Sequence, residues 1–408
     1  MSELHLFKLN IENRETSIQA VLLCLFYLVL SFFILRAKTV TQDTYIPKNP
    51  RGQLVKTAIS FADGEGLYQK RFQDLDKALS TYTSGPGQSY LQSELPFNSS
   101  PSTWEPSLYQ DIFSVSTSGK LTPKHPWFVS LVASPFYSIA GLPGVWFFNQ
   151  LLLAGFFVSG FLLLREHDKS LFPFIFAFSF PLLLFQTVFF ARAGLSHDLF
   201  AAFTIVLAFA AVRTCPSLAM LLFGISAYCR VTNLSFLPFL LIYNHFGENR
   251  SLASLRQKLR SFTVLFIVVL PLFLTNLIIW GSPISGSYSR LPVYEHGERV
   301  FGHSKNDHFF DFKIAIDHGM SRVTEGRDGL LRNLPIFIFT FPLAMLLFWL
   351  GKKRDFYLLF GAAVFQSLLY LSFNHWEGAV GWRFVLVAGM FMAVVLGRCI
   401  GDICSSRV

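Results

Sequence analysis

Residues 16–35 contain no charged side chain, and uncharged apolar stretches of similar length recur at 145–164, 171–190 and 261–280. A helix of about 20 residues spans about 30 Å, the thickness of a bilayer's hydrocarbon core. Shorter apolar stretches follow the same pattern at 127–140, 199–212, 335–350, 356–373 and 384–396. A soluble chain of 408 residues can bury a large core without being 52% hydrophobic and only 14% charged. The mean hydropathy of +0.46 points the same way. The expected fold is an all-α polytopic membrane protein with about ten transmembrane helices, forming one integral-membrane domain over 1–408.

The stretch 217–246 is interrupted by Arg230, Thr232 and Asn233, so it reads either as one broken span or as two short ones. Loop charge favours one crossing. The basic connection 249–260 and the triplet Lys352-Lys353-Arg354 look like cytoplasmic flanks. With the N-terminus inside, a single crossing of 217–246 keeps the basic connection inside. Both termini are then cytoplasmic, and two long loops, 36–126 and 281–334, share the outer face of a cell inner membrane. The first stretch is expected to be a signal anchor, because no small-residue cleavage pattern follows it.

The net charge of +9 is gathered in short membrane-flanking loops rather than in a basic stripe with interleaved aromatics. Nucleic acid is therefore not an expected partner. The five cysteines avoid both long loops and show no metal-ligand spacing, which argues against a disulfide framework and a cysteine zinc site.

The first loop carries Phe61-Ala62-Asp63-Gly64-Glu65-Gly66-Leu67-Tyr68, two carboxylates among small residues. Tyr68, Phe72, Leu75, Leu79 and Tyr82 then recur at helical spacing, as an amphipathic interfacial helix requires. On this topology the outer face collects Asp63, Glu65, Lys124, His125, His375, Trp376, Glu377 and Arg383. A carboxylate can take a proton from an acceptor hydroxyl or amine, and cations can hold a phosphate. Together they suit transfer of a group from a lipid phosphate.

Simpler readings exist for each. Asp63 suits the N-cap of the helix that starts near Tyr68. Lys124 and His125 suit snorkelling cations. Asp198 suits the N-cap of 199–212, and this topology puts it on the inner side, outside the catalytic set. Arg230, inside an apolar stretch, calls for a partner or a water-filled cavity. His296, His303, His308 and His318 lack a short metal-binding spacing and read as solvated. A divalent ion is the minority alternative, and no cofactor or metal ligand is assigned.

The ordered motifs resemble one family. Ala62-Asp63-Gly64-Glu65-Gly66-Leu67-Tyr68 is similar to a bacterial DG-x-GYY motif. Lys124-His125-Pro126, with Ser134-Pro135-Phe136-Tyr137, resembles the start of that family's second helix. Ser196-His197-Asp198 resembles its later acidic residue, and Arg230-Val231-Thr232-Asn233 its R-P-T-N break. Gly281-Ser282-Pro283 with Gly286-Ser287-Tyr288, Gly329-Leu330-Leu331 with Leu334-Pro335, and Trp376 through Phe384 follow in the same order. The family is the GT-C polytopic glycosyltransferases, in the branch related to protein O-mannosyltransferases and aminoarabinose transferases.

The resemblance implies a polyprenyl-phosphate sugar as donor, and transfer with inversion on the outer face to a glycan, lipid or protein acceptor. Asp63 would be the general base, with Glu65 the alternate. Tyr68, Lys124, His125, His375, Trp376, Glu377 and Arg383 would bind substrate. Two other functions fit the same residues: a lipid-linked-sugar flippase, which needs no base, and a non-catalytic assembly subunit with the same fold.

Overall fold

The computed structural model describes residues 14–34, 51–64, 66–67, 113–118, 121–123, 126–166, 168–184, 195–245, 255–283, 292–295, 298–301, 312–324, 330–349, 356–372 and 385–405. These are almost wholly helical, in agreement with the all-α expectation. In chain order the helices are α1 Arg14–Ile34, α2 Arg51–Ala62, α3 Phe128–Arg165, α4 Phe172–Ala177, α5 Phe180–Leu183, α6 His197–Ala211 and α7 Pro216–Cys229. There follow α8 Leu237–His245, α9 Leu255–Trp280, α10 Phe312–Thr324, α11 Leu330–Asn333, α12 Ile336–Trp349, α13 Phe356–Leu371 and α14 Leu386–Ser405. Two antiparallel hairpins accompany them, β1 Phe113–Val115 with β2 Leu121–Pro123, and β3 Pro292–Glu295 with β4 Glu298–Phe301.

The bundle has two ends, and contacts between legs define them. After Gly141 α3 runs parallel to α6: Asn149 Oδ1 accepts the Ser196 N–H at 3.2 Å, and Glu166 pairs with Arg213 at 3.2 Å one helix length further on. α7 returns antiparallel, with Ser226 Oγ donating to Ala201 O at 2.8 Å. α1 is antiparallel to the same part of α3, since Ser31 donates to Gln150 while Tyr27, a turn earlier, stacks on Phe157. α4 and α5 climb past α14 in reverse order, Phe172 lying by Gly401 and Leu184 by Gly389. Both short helices open with proline, whose missing N–H costs nothing in a first turn.

Two legs depart from the sequence-based expectation. The stretch 127–140 is not an independent leg through the bundle. α3 breaks at Gly141, whose φ of 63° and ψ of −145° suit only glycine, and folds back on itself. Phe136 stacks on Phe148 at 4.8 Å, and a Cβ on Gly144 would lie 2.0 Å from the Phe136 carbonyl oxygen. Conversely, 217–246 makes two legs rather than one. Arg230 leaves helical geometry at φ −146° and ψ 101°, a 3-10 turn over Val231–Phe236 reverses the chain, and α8 descends beside α6. The two departures offset each other, so legs still alternate in direction. One consequence matters for function: the start of α6 lies at the same end as the ends of α7, α9 and α13.

Among the described residues two helices, Phe128–Arg165 and Leu386–Cys404, are long and apolar enough to cross a membrane, and shorter apolar helices accompany them. The core between them is rich in phenylalanine, with Phe156, Phe161, Phe180, Phe209 and Phe391 all fully buried.

Candidate functional site

At the end of the bundle where α6 begins, three groups of side chains meet. The first comes from α2. This helix precedes the acidic motif and places Asp63 at its C-terminus. The Asp63 N–H closes the last helical turn on Ile59 O at 2.9 Å. Gly64 and Gly66 then turn the chain at φ 76° and 70°, and Ser60 and Gly66 exchange hydrogen bonds at 2.9 and 3.2 Å. The Asp63 side chain is exposed. A carboxylate beside the negative end of a helix dipole is unfavourable by about 0.3–1 kcal/mol, so the dipole of α2 does not favour a charge at this position.

The second group is aromatic. Phe61, two residues before Asp63, meets Trp127 at 5.9 Å, and Trp127 meets Tyr228 at 6.0 Å. Tyr228 OH donates to Asn276 Oδ1 at 3.2 Å, and Asn276 Nδ2 donates to Pro283 O at 3.2 Å. The β1–β2 hairpin of the first loop sits on the same corner. Trp280 Nε1 donates to Thr122 Oγ1 at 2.9 Å, and Thr117 N–H to Ile279 O at 2.7 Å.

The third group is ionic and buried. Ser196 is the N-cap of α6, its Oγ accepting from Leu199 N–H at 3.2 Å, which leaves Asp198 in the first turn where the dipole favours a negative charge. Asp198 is 4% exposed. Its Oδ1 accepts from Arg230 Nε at 2.6 Å and lies 3.2 Å from His197 Nε2. Arg230 Nη1 donates to Tyr370 OH at 2.8 Å, and the guanidinium carbon lies 5.7 Å from that ring. Tyr370 OH is also paired with Thr232 Oγ1. The partner that Arg230 calls for is thus Asp198. The expectation that Asp198 lies at the opposite end is corrected: its distance in sequence from Arg230 concealed the hairpin that joins them. An acid and an arginine in adjacent apolar stretches were the available signal.

The second long loop also reaches this end. Arg322 of α10 donates through Nη1 to Leu371 O at 2.5 Å, beside Tyr370. Partial burial pulls its pKa below the ordinary value of a guanidinium. Among the described residues no group of histidines, cysteines and carboxylates could hold a metal ion, and His318 is exposed.

Of the residues singled out from the sequence, Asp63 is described. Glu65, Tyr68, Lys124, His125, His375, Trp376, Glu377 and Arg383 lie outside the described residues. So does the expected amphipathic helix from Tyr68 to Tyr82.

No protein-family model, curated protein or solved structure matches this chain.

The opposite end of the bundle holds a second polar network. Tyr243 OH donates to Glu166 Oε2 at 3.0 Å and accepts from Arg398 Nη2 at 3.2 Å. The Arg213 guanidinium stacks 4.0 Å above the Tyr243 ring. These groups tie α3, α6, α8 and α14 together far from Asp63.

Proposed function

We propose that the protein is an integral-membrane glycosyltransferase that moves a sugar from a polyprenyl phosphate to an acceptor on the outer face of a cell inner membrane. The observation that carries this reading is convergence. The exposed carboxylate of Asp63, the aromatic row from Phe61 to Tyr228 and the Asp198–Arg230–Tyr370 cluster share one end of an apolar helical bundle. The order of motifs resembling GT-C glycosyltransferases supports the same reading.

A membrane setting is supported by what the bundle exposes. Phe266, Ile267 and Ile278 of α9 are 63%, 65% and 74% exposed, and Phe339, Phe348 and Trp349 of α12 are 62%, 63% and 82% exposed. Apolar surface of this extent is unfavourable in water and matched by lipid. Alternation of the legs puts the Asp63 end outside if the basic 249–260 and 352–354 connections are inside.

In the proposed reaction an acceptor hydroxyl or amine attacks the anomeric carbon as the bond from that carbon to the phosphate oxygen breaks. Asp63 takes the acceptor's proton, with Glu65 as the alternate base. The polyprenyl phosphate leaves with the bonding electron pair and a growing negative charge. Arg383, Lys124 and His125 are the groups assigned to that phosphate, since cations aimed at developing charge act mostly in the transition state. Tyr68, His375, Trp376 and Glu377 complete the substrate-binding set carried over from the resemblance.

The test is genetic and chemical. Deletion should remove or truncate an outer-face glycolipid or polysaccharide, read by mass spectrometry of the cell envelope. Wild-type protein should restore it and Asp63→Asn should not. Restoration by Asp63→Asn would favour a flippase, which needs no general base.

A further inference from the structure

Helix α10, in the second long loop, presents three different faces around its axis. At about 100° per residue, Ala315, Gly319 and Arg322 share one side. That side is docked on the bundle: Gly319 is buried, and Arg322 Nη1 donates to Leu371 O at 2.5 Å. On the adjoining flank Ile316 and Met320, one turn apart, are 83% and 75% exposed. Round the rest of the helix Lys313, Asp317 and His318 are polar and exposed. Docked, apolar and polar faces therefore follow one another in that order.

The ends of the neighbouring helices give the height of this flank. Leu371, which accepts from Arg322, is the last residue of α13. Leu368, about 4.5 Å down the axis, is 56% exposed on the apolar surface of the bundle. α10 also packs on α11, where Leu330 is buried, and α12 starts directly afterwards. Ile338 and Phe339, in the first turn of α12, are 50% and 62% exposed. α10 thus lies where two helices with exposed apolar faces end, level with the edge of the hydrocarbon. A helix lying there meets protein on one side, lipid on the next and water on the rest, which is the order of its side chains. A protein partner fits less well, because a stable contact takes roughly 800 Å² from each side and two side chains fall well short of that. We propose that α10 is an interfacial helix, with Ile316 and Met320 inserted among lipid chains at the outer face of the membrane. This rests on the membrane setting proposed above, and it holds the second long loop at the depth of the donor lipid's phosphate.

The test reads what each face of α10 touches. Nitroxide labels are attached through p-acetylphenylalanine, one at a time, at positions 316, 317, 318 and 320 of the full chain. The protein is placed in nanodiscs of phosphatidylethanolamine and phosphatidylglycerol. Paramagnetic resonance then measures collisions with oxygen, which concentrates in lipid, and with a nickel chelate, which stays in water. Labels replacing Ile316 and Met320 should collide mainly with oxygen, and labels replacing Asp317 and His318 mainly with the chelate. A label replacing Ile267 of α9, which is 65% exposed, reports on the membrane setting itself. Chelate collisions at 316 and 320 equal to those at 317 would put the flank in water and overturn the proposal. Loss of collisions with both reagents at 316 and 320 would put it against protein, which also overturns the proposal. In either case oxygen-dominated collisions at 267 would leave the membrane setting and the glycosyltransferase reading standing. Chelate-dominated collisions at 267 would overturn the membrane setting and the interfacial helix together.

Discussion

Asp198→Asn removes the charge from a buried pair while keeping its shape. Asp198 is 4% exposed and the Arg230 side chain 14%, with 2.6 Å between them. Breaking a buried pair by removing one partner costs about 3–5 kcal/mol, because the remaining charge is stranded. Arg230 keeps its hydrogen bond to Tyr370 OH and some contact with solvent, so the lower end applies, about 3 kcal/mol. That is roughly a hundredfold in the unfolding equilibrium. Arg230→Met strands Asp198 in turn, although His197 at 3.2 Å can share its charge, so its cost should be smaller. The double variant removes both charges and should be more stable than the sum of the single losses implies, by about 2 kcal/mol or more. Unfolding in mixed detergent micelles, followed by tryptophan fluorescence, gives the cycle. Additivity within about 0.5 kcal/mol would refute the pairing as the source of stability, and with it the hairpin register that brings Asp198 to this end.

Arg383→Lys should retain part of the sugar-transfer activity and Arg383→Ala very little, since lysine keeps the charge but loses the two-pronged hydrogen bond to phosphate; turnover beside a detergent thermal melt checks it. Gly141→Ala should destabilise by about 1–3 kcal/mol through backbone strain alone, because nothing lies within 4 Å of the added Cβ, as unfolding midpoints will show. Gly144→Ala should cost more than Gly141→Ala, since its Cβ would overlap the Phe136 carbonyl. Cysteines introduced at Ser99 and Ser304 should label from outside intact cells, and one at Lys352 only after permeabilisation; protection of Ser99 and Ser304 would reverse the orientation.

Apolar runs and their basic flanks made the alternating helical legs legible, because solvent preference is written residue by residue. The exchange of one leg for another was not legible. Whether 127–140 runs on as its own leg or folds back depends on the turn at Gly141 and on Gly144 and Phe148 meeting Phe136, contacts that neither hydropathy nor charge records. Whether 217–246 makes one leg or two depends on Asp198 receiving Arg230, a pairing between residues far apart in sequence. At the candidate site, Asp63 stood out as an acid among glycines, but the helix to which it belongs is the one before it. That helix, α2, has a weak apolar pattern, Leu54, Val55, Ala58 and Ile59, and is held by burial against α3, where Ser130 Oγ donates to Leu54 O at 2.8 Å.

The central claim is that this end of the bundle transfers a sugar, with Asp63 as the base. The direct measurement is release of free polyprenyl phosphate by purified protein in nanodiscs, supplied with radiolabelled undecaprenyl-phosphate hexoses and an extract of envelope acceptors. Wild-type protein should release it in an acceptor-dependent way. Asp63→Asn should slow release on the order of a hundred- to ten-thousand-fold while binding the donor nearly as well. Equal rates for wild type and Asp63→Asn, or donor bound and moved across the bilayer with no release, would contradict the claim.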